Sequence, residues 1–151
     1  MKRGAILGIV ALGACLAWFW IGKANVKKMS NPAVYFEIPV SDLDRAVRFY
    51  GAVFGYQFQR ETIDHNEMAL FPLSEDAPGV SGALAKGEIY VPSKTGSLIY
   101  LHTLDIDLTL KKVAEAGGKT LYPKTSLGGQ GFVAEFEDSE GNRVALHSRE
   151  K

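Results

Sequence analysis

Val34-Tyr-Phe-Glu-Ile-Pro-Val-Ser-Asp-Leu-Asp-Arg-Ala-Val-Arg-Phe-Tyr-Gly-Ala-Val-Phe-Gly55 is the stretch from which the rest of the chain can be read. Phe36, Ile38 and Val40 alternate with Tyr35, Glu37 and Pro39, which predicts a strand with one apolar face and one mixed face. Ser41 or Asp42 caps the next element, a helix, and Ser41-x-x-Asp44 has the form of a capping box. Leu43, Ala46, Val47, Tyr50, Val53 and Phe54 keep helical spacing, with Asp44, Arg45 and Arg48 on the outer side. Gly55 is the expected stop, because glycine takes the left-handed conformation that ends a helix.

A looser copy begins at Leu98. Asp42 and Asp44 match Asp105 and Asp107, and Gly55 matches Gly118, all at an offset of 63 residues. A repeat of that length marks a duplicated supersecondary unit. Behind the first helix, 56–62, 67–72 and 82–86 read as strands, with turns at 64–66 and 74–79. Residues 87–96 link the halves. In the second half, 98–103 is a strand, Ile106, Leu110, Val113 and Ala114 mark a helix face, and Gly117-Gly118 ends it. Residues 119–123 are a strand and 127–131 a flexible loop that can serve as a lid. Residues 132–137 and 143–148 form a hairpin about Asp138-Ser-Glu-Gly-Asn142. The class is α+β, with βαβββ twice, in modules of about 31–86 and 97–148. Neither module is large enough to bury a core easily alone.

The charge is zero overall, 17 basic against 17 acidic residues. All five charges before residue 29 are basic: Lys2, Arg3, Lys23, Lys27 and Lys28. The remainder is therefore acidic, with no basic stripe, which argues against nucleic-acid binding. Cys15 is the one cysteine, so no disulfide closes within the domain. Residues 4–22 are uncharged and long enough to cross a bilayer as a hydrophobic helix, with Trp18 and Trp20 near one end. Three readings of 1–29 stand: a membrane anchor with the domain on the cytoplasmic side, a lipoprotein signal cleaved before Cys15, or a leader upstream of a true start at Met29, which makes the protein cytoplasmic. The domain proper is 30–151.

Three motifs carry a family resemblance over about Asn31 to Ser148: the opening strand-Ser-Asp-Leu-Asp-helix-Phe-Tyr-x-x-Val-Phe-Gly, Leu104-Asp-Ile-Asp107 with Gly117-Gly118, and Phe136-Glu-Asp-Ser-Glu-Gly-Asn-Arg-Val-Ala-Leu146. The chain resembles the vicinal oxygen chelate superfamily of glyoxalases, extradiol dioxygenases, and fosfomycin- and bleomycin-resistance proteins. The resemblance implies two βαβββ modules curled about a common cavity, and relatives that often form homodimers. In metal-using relatives, ligands stand at positions that fall here on Tyr35, Ala83, Leu98 and Ala145. Leucine and alanine have no donor atom, so the usual metal site is not expected.

Strand alternation places Glu37 beside Tyr35, Tyr100 and His102 beside Leu98, and His147 beside Ala145 on the cavity face. Glu135 is a further candidate whose face the pattern leaves open. Two functions are compatible with this lining. One is a metal-free module binding a small, partly aromatic molecule, with Tyr35, Glu37, Leu98, Tyr100, His102, Ala145 and His147 as the lining. The other is a glyoxalase-like lyase or isomerase in which Glu37 is a base and His102 or His147 an acid, or in which these three hold a divalent metal at a displaced site.

Overall fold

The computed structural model describes residues 32–74 and 76–149. The hydrophobic segment expected to anchor the chain lies outside them. Among the described residues no helix is long and apolar enough to cross a membrane. The elements run β1 (Phe36–Pro39), α1 (Leu43–Phe54), β2 (Gln59–Ile63), β3 (Asn66–Leu70), β4 (Gly82–Lys86), β5 (Tyr100–His102), α2 (Ile106–Glu115), β6 (Lys119–Ser126), β7 (Phe132–Glu137) and β8 (Arg143–Ser148). This is βαβββ twice, as the repeat predicts.

Each module forms a four-stranded sheet, ordered β1-β4-β3-β2 and β5-β8-β7-β6. In each, the first strand runs parallel to the last and the other pairs are antiparallel. The opening strands β1 and β5 are therefore edges of their own sheets, and the seam between the modules runs along them.

The helices stop and start where their side chains dictate. The Asp42 carboxylate accepts the Arg45 N–H at 2.9 Å, and the Asp105 carboxylate accepts that of Leu108 at 2.9 Å. Each supplies a partner to a first-turn amide that the helix leaves unpaired. Gly55 ends α1 at φ 76°, and its N–H reaches the Gly51 carbonyl. The β2–β3 hairpin turns on Asp64 and His65, both at positive φ, as the tight primed turns of hairpins require.

Both helices cover one side of the sheets. Ile38, Leu84 and Ala69 from the first sheet and Leu101, Val144, Leu146, Ala134 and Phe136 from the second join Leu43, Ala46, Phe49, Tyr50, Val53, Ile106 and Val113 in a shared core. The alternation read in β1 is the alternation observed. Packed against this core, Phe36, Phe54, Tyr56 and Phe58 form with the buried Phe71 a chain of ring contacts with centroids 5.0–6.3 Å apart. Such tilted and stacked pairs add rigidity beyond the area they bury.

The modules are locked by the turn between β7 and β8. The Glu140 carboxylate accepts the N–H groups of Ser41 and Asp42, each at 3.0 Å, and a two-point bond from the Arg45 guanidinium at 2.7 and 2.8 Å. It thus sits at the N-terminus of α1, where the helix dipole favours an anion. Asp138 accepts from the buried Tyr50 hydroxyl at 2.8 Å and from the N–H groups of Glu140 and Asn142. Asn142 donates to the Pro39 carbonyl at 2.8 Å and to Asp138 at 3.0 Å.

Burial alone would raise the Glu140 carboxyl, but the Arg45 guanidinium and the Asp42 and Ser41 amides outweigh it and hold the group below its ordinary 4.5. A carboxyl depressed by folding stabilises the protein fully above the unfolded value, and that stabilisation is lost as pH falls through the folded one. Glu140→Ala should lower the unfolding free energy by about 2 kcal/mol at pH 7, since it removes a charged acceptor from two backbone N–H groups and a half-exposed guanidinium. Denaturant titration from pH 7 to pH 3 measures it. The gap between parent and Glu140→Gln should close below about pH 4.5; a gap that persists unchanged to pH 3 would refute the electrostatic account.

Candidate functional site

On the side away from the helices, the strands set their residues in rows. Glu37, Ala83, Leu70 and Gln59 are in register across the first sheet. Tyr100, Ala145, Glu135 and Tyr122 are in register across the second, and His102, His147, Val133 and Thr125 form the next row. These rows hold the residues that alternation places on one face, and Glu135, left open by the pattern, joins them. Its carboxylate is bound by Arg143 Nε at 2.7 Å and by the terminal guanidinium nitrogen at 2.5 Å.

Two pockets open along the seam. The upper, of about 520 Å³, lies between the start of β1 and the whole of β5, with the 71–81 connection closing one side. Tyr35, Leu98, Tyr100 and His102 line it, and Phe36, Tyr56 and Phe71 from the aromatic core form its rear wall. None of its described lining residues is Asp, Glu, Lys or Arg. Tyr35 and Tyr100 are 47% and 54% exposed, unusual for two tyrosines set in a cleft with a firm apolar back wall. Partial burial raises the Tyr35 phenol, and the carboxylates of Glu37 and Glu61 add to the effect. Burial likewise raises Tyr56, so both are neutral hydroxyls at pH 7.

The lower pocket, of about 270 Å³, lies under the connection between the modules. Glu37, Ile38 and Pro39 meet Val91, Ser93, Ser97, Ile99, Asn142 and Arg143 there. This connection, 87–97, reads from sequence as a simple linker; in the structure it is a strap laced to both modules. A turn from the Gly87 carbonyl to the Tyr90 N–H folds Tyr90 back, and its ring packs on Met68, Ala83, Ala85 and Leu70. A side chain at Gly87 would meet the Asn66 amide oxygen and crowd the Tyr90 ring. The Tyr90 hydroxyl donates to Glu37 at 2.8 Å. Farther on, Ser93 N–H donates to the Asn142 side chain at 2.9 Å, Arg143 N–H to the Ser93 carbonyl, and Lys94 pairs with Glu137 at 2.7 Å.

The three residues considered as a displaced metal triad are not brought together. Glu37 faces the lower pocket and is held by Tyr90, whereas His102 faces the upper one. His147 is beside His102 in register, but its Nε2 is 2.9 Å from the Gln130 carbonyl. A carbonyl only accepts, so that nitrogen carries a proton and is not a ligand. Among the described residues no three His, Cys, Asp or Glu are grouped to hold a metal ion. The positions at which the resemblance places ligands do not fit one either. Ala83 and Ala145 are fully buried, Ala83 lies under the Tyr90 ring, and Leu98 offers only carbon.

The 127–131 loop, open in the sequence to being a lid or only a loop, holds a single 3-10 turn over Gly128–Gln130. It is pinned by the His147 contact and by Leu127 N–H to the Gly131 carbonyl at 2.8 Å. Gly131, at φ 97°, lies so close to the Ser148 carbonyl that no side chain would fit.

A paired βαβββ protein with a seam cleft of this kind has known counterparts. A family model described as bleomycin resistance protein-like N-terminal matches residues 33–74. A glyoxylase-like domain-containing protein from Didymella fabae is 35% identical over 117 residues, 75% of this chain and 90% of that one. Among solved structures, a glyoxylase/bleomycin resistance protein/dioxygenase domain from Frankia sp. EAN1pec matches with a TM-score of 0.62 at 19% identity, over 80% of this chain and 98% of that one. TnmS3, an antibiotic binding protein from Streptomyces sp. CB03234, matches at 0.60 and 24% identity over the same shares. A glyoxalase I mutant from Zea mays matches at 0.61 and 21%, over 78% of this chain and 47% of that one. The chain belongs to the vicinal oxygen chelate superfamily, the glyoxalase/bleomycin-resistance/dioxygenase group.

Tyr90 is the site residue that motif reading misses. Tyr90→Ala should cost about 2 kcal/mol, less than a fully buried aromatic because the ring is half-buried, and should speed protease cleavage within 87–97. Tyr90→Phe should cost under about 1 kcal/mol, the scale of one half-exposed hydrogen bond. Chemical unfolding with limited proteolysis checks both; equal costs for the two variants would mean that the ring holds nothing down.

Proposed function

We propose that the protein binds a small, flat and largely apolar molecule in the upper pocket, between Tyr35 and Tyr100, without drawing on a metal. The observation that carries this reading is the pocket of about 520 Å³ whose lining, among the described residues, has aromatic walls and no carboxylate, lysine or arginine. A preformed apolar cleft with a few polar handles is the usual form of a small-molecule site. The handles are the two tyrosine hydroxyls and the His102 imidazole. The rear wall is already fixed by ring packing, so little ordering opposes association. Sequestration of a harmful compound is the role we favour, by analogy with the antibiotic binding protein and the bleomycin-resistance-like model among the similar proteins.

The acid–base alternative asks Glu37 and His102 or His147 to act on one substrate. It draws less support, since the Glu37 carboxylate is engaged by the Tyr90 hydroxyl and His147 Nε2 by the Gln130 carbonyl.

The test uses the neutral dye N-phenyl-1-naphthylamine, which brightens on entering apolar sites. One equivalent should bind saturably. Tyr35→Ala and Tyr100→Ala should each weaken it about three- to tenfold, the scale of one aromatic contact. Absence of saturable binding, or binding indifferent to both substitutions, would overturn the reading.

A further inference from the structure

The two pockets along the seam differ in charge, and the difference points to what the ligand carries at its far end. Among the described residues, the upper pocket has no formally charged lining residue. The lower has two, Glu37 and Arg143. They are not equivalent. Arg143 is already neutralised by the two-point bond to Glu135. Glu37 has a hydrogen bond from the neutral Tyr90 hydroxyl and no cation beside it among the ion pairs of the described residues. The lower pocket therefore carries one uncompensated negative charge at its β1 wall.

The surroundings of that charge add to it. Tyr35 stands two residues before Glu37, just ahead of β1, and feels its charge, while Tyr90 reaches it from the strap, so two phenols lie near the carboxylate. The phenol of Tyr90 is held above its ordinary value first by its bond to Glu37, then by partial burial, with the charge of Glu37 adding to both. Glu61, in the next row of the sheet, also acts on Tyr35. The faces of aromatic rings attract cations, and a carboxylate near them makes that attraction specific. An anion would meet repulsion at the same wall.

We infer that the lower pocket is a cation subsite, in which Glu37, near Tyr35 and Tyr90, receives an ammonium or guanidinium group of a ligand whose aromatic body lies in the upper pocket. Ile99 lines both compartments, so they adjoin, and the ligand is an aromatic amine with a short spacer between ring and cation. Its cation exchanges water for the Glu37 carboxylate, and the Tyr90 hydroxyl keeps the carboxylate aimed into the seam. No covalent step is involved. The inference rests on the binding reading above and narrows it to one charge class.

The experiment compares two probes of nearly equal shape, 1-naphthylmethylamine, cationic at pH 7, and 1-naphthylmethanol, neutral. Each is titrated by calorimetry into the full chain at low and high salt. The amine should bind about tenfold more tightly at low salt, the scale of one cation–aromatic or charge contact at a partly exposed site. The advantage should shrink at high salt, because the Debye length shortens. Glu37→Gln should bring the ratio of the two affinities to about one, with the melting temperature reporting that the variant is folded. Tyr90→Phe should keep the ratio above one, since the carboxylate remains. Equal affinities in the parent, or a preference for the amine that survives Glu37→Gln, would overturn the cation subsite and leave the binding reading standing. A protein that binds neither probe would overturn both.

Discussion

The turn between β7 and β8 is the constraint on which the structure depends. Asp138 and Asn142 are buried, and each uses its side chain to bind a different part of the chain. Asp138 takes the Tyr50 hydroxyl from α1; Asn142 takes the end of β1 and the Ser93 amide of the strap; Glu140 takes the start of α1. Burying a carboxylate is costly unless every lone pair finds a donor; here the turn's own groups supply some donors and elements about 90 to 100 residues away supply the rest. Correct docking of the modules is therefore the condition for satisfying the turn. Burial and the Asp138 charge both push the Tyr50 phenol well up, so it is a protonated donor at neutral pH.

The duplicated scaffold has a corresponding connection in the first module, between β3 and β4, and it behaves differently. The hydrogen bonds of 71–81 run within the segment and to its own sheet, as in Ser81 to the Phe71 and Pro72 carbonyls and Phe71 to Gly82. Among its described residues none repeats the clamp on α2, whose cap is made locally by Asp105 and Thr103. One end of the seam is thus tied shut and the other is left to a proline-containing wall over a pocket. A twofold-repeated architecture acquires a direction because one of two equivalent turns carries Asp-Ser-Glu-Gly-Asn and the other does not.

How far a feature is legible in the sequence depends on its range. The helices, caps and glycine stops depend on neighbours within a turn, so Asp42, Gly55 and Asp105 can be read directly. The inner and outer faces depend on a period of two, and the 63-residue repeat transfers them from one half to the other. Features that depend on cross-strand register or on the path of a connection leave no such trace. Arg143 and Glu135 lie eight residues apart across a hairpin, His147 reaches the Gln130 carbonyl across a loop, and Tyr90 sits in a stretch with no periodicity. The end of β6 is hidden for another reason. Pro123 reads as a strand stop, yet β6 continues to Ser126 with register shifts, because an edge strand can spare the amide that proline lacks.

The same range argument explains why the site lies at the seam rather than at the sheet centres. Ala83 and Ala145 are small residues in the middle of each inner face, and small residues there would leave hollows. The chain fills both from elsewhere. In the first sheet the Tyr90 ring lies on Ala83 and Ala85. In the second, Ala145 stands in register between Tyr100 and Glu135, and Arg143, two residues before it, binds Glu135 alongside. Both alanines are consequently fully buried. A cleft closed at its two centres keeps accessible surface where the two edge strands face each other. That is where Tyr35 and Tyr100 remain half exposed against a wall of packed rings, and where Glu37 keeps a charge that no side chain of the described domain neutralises.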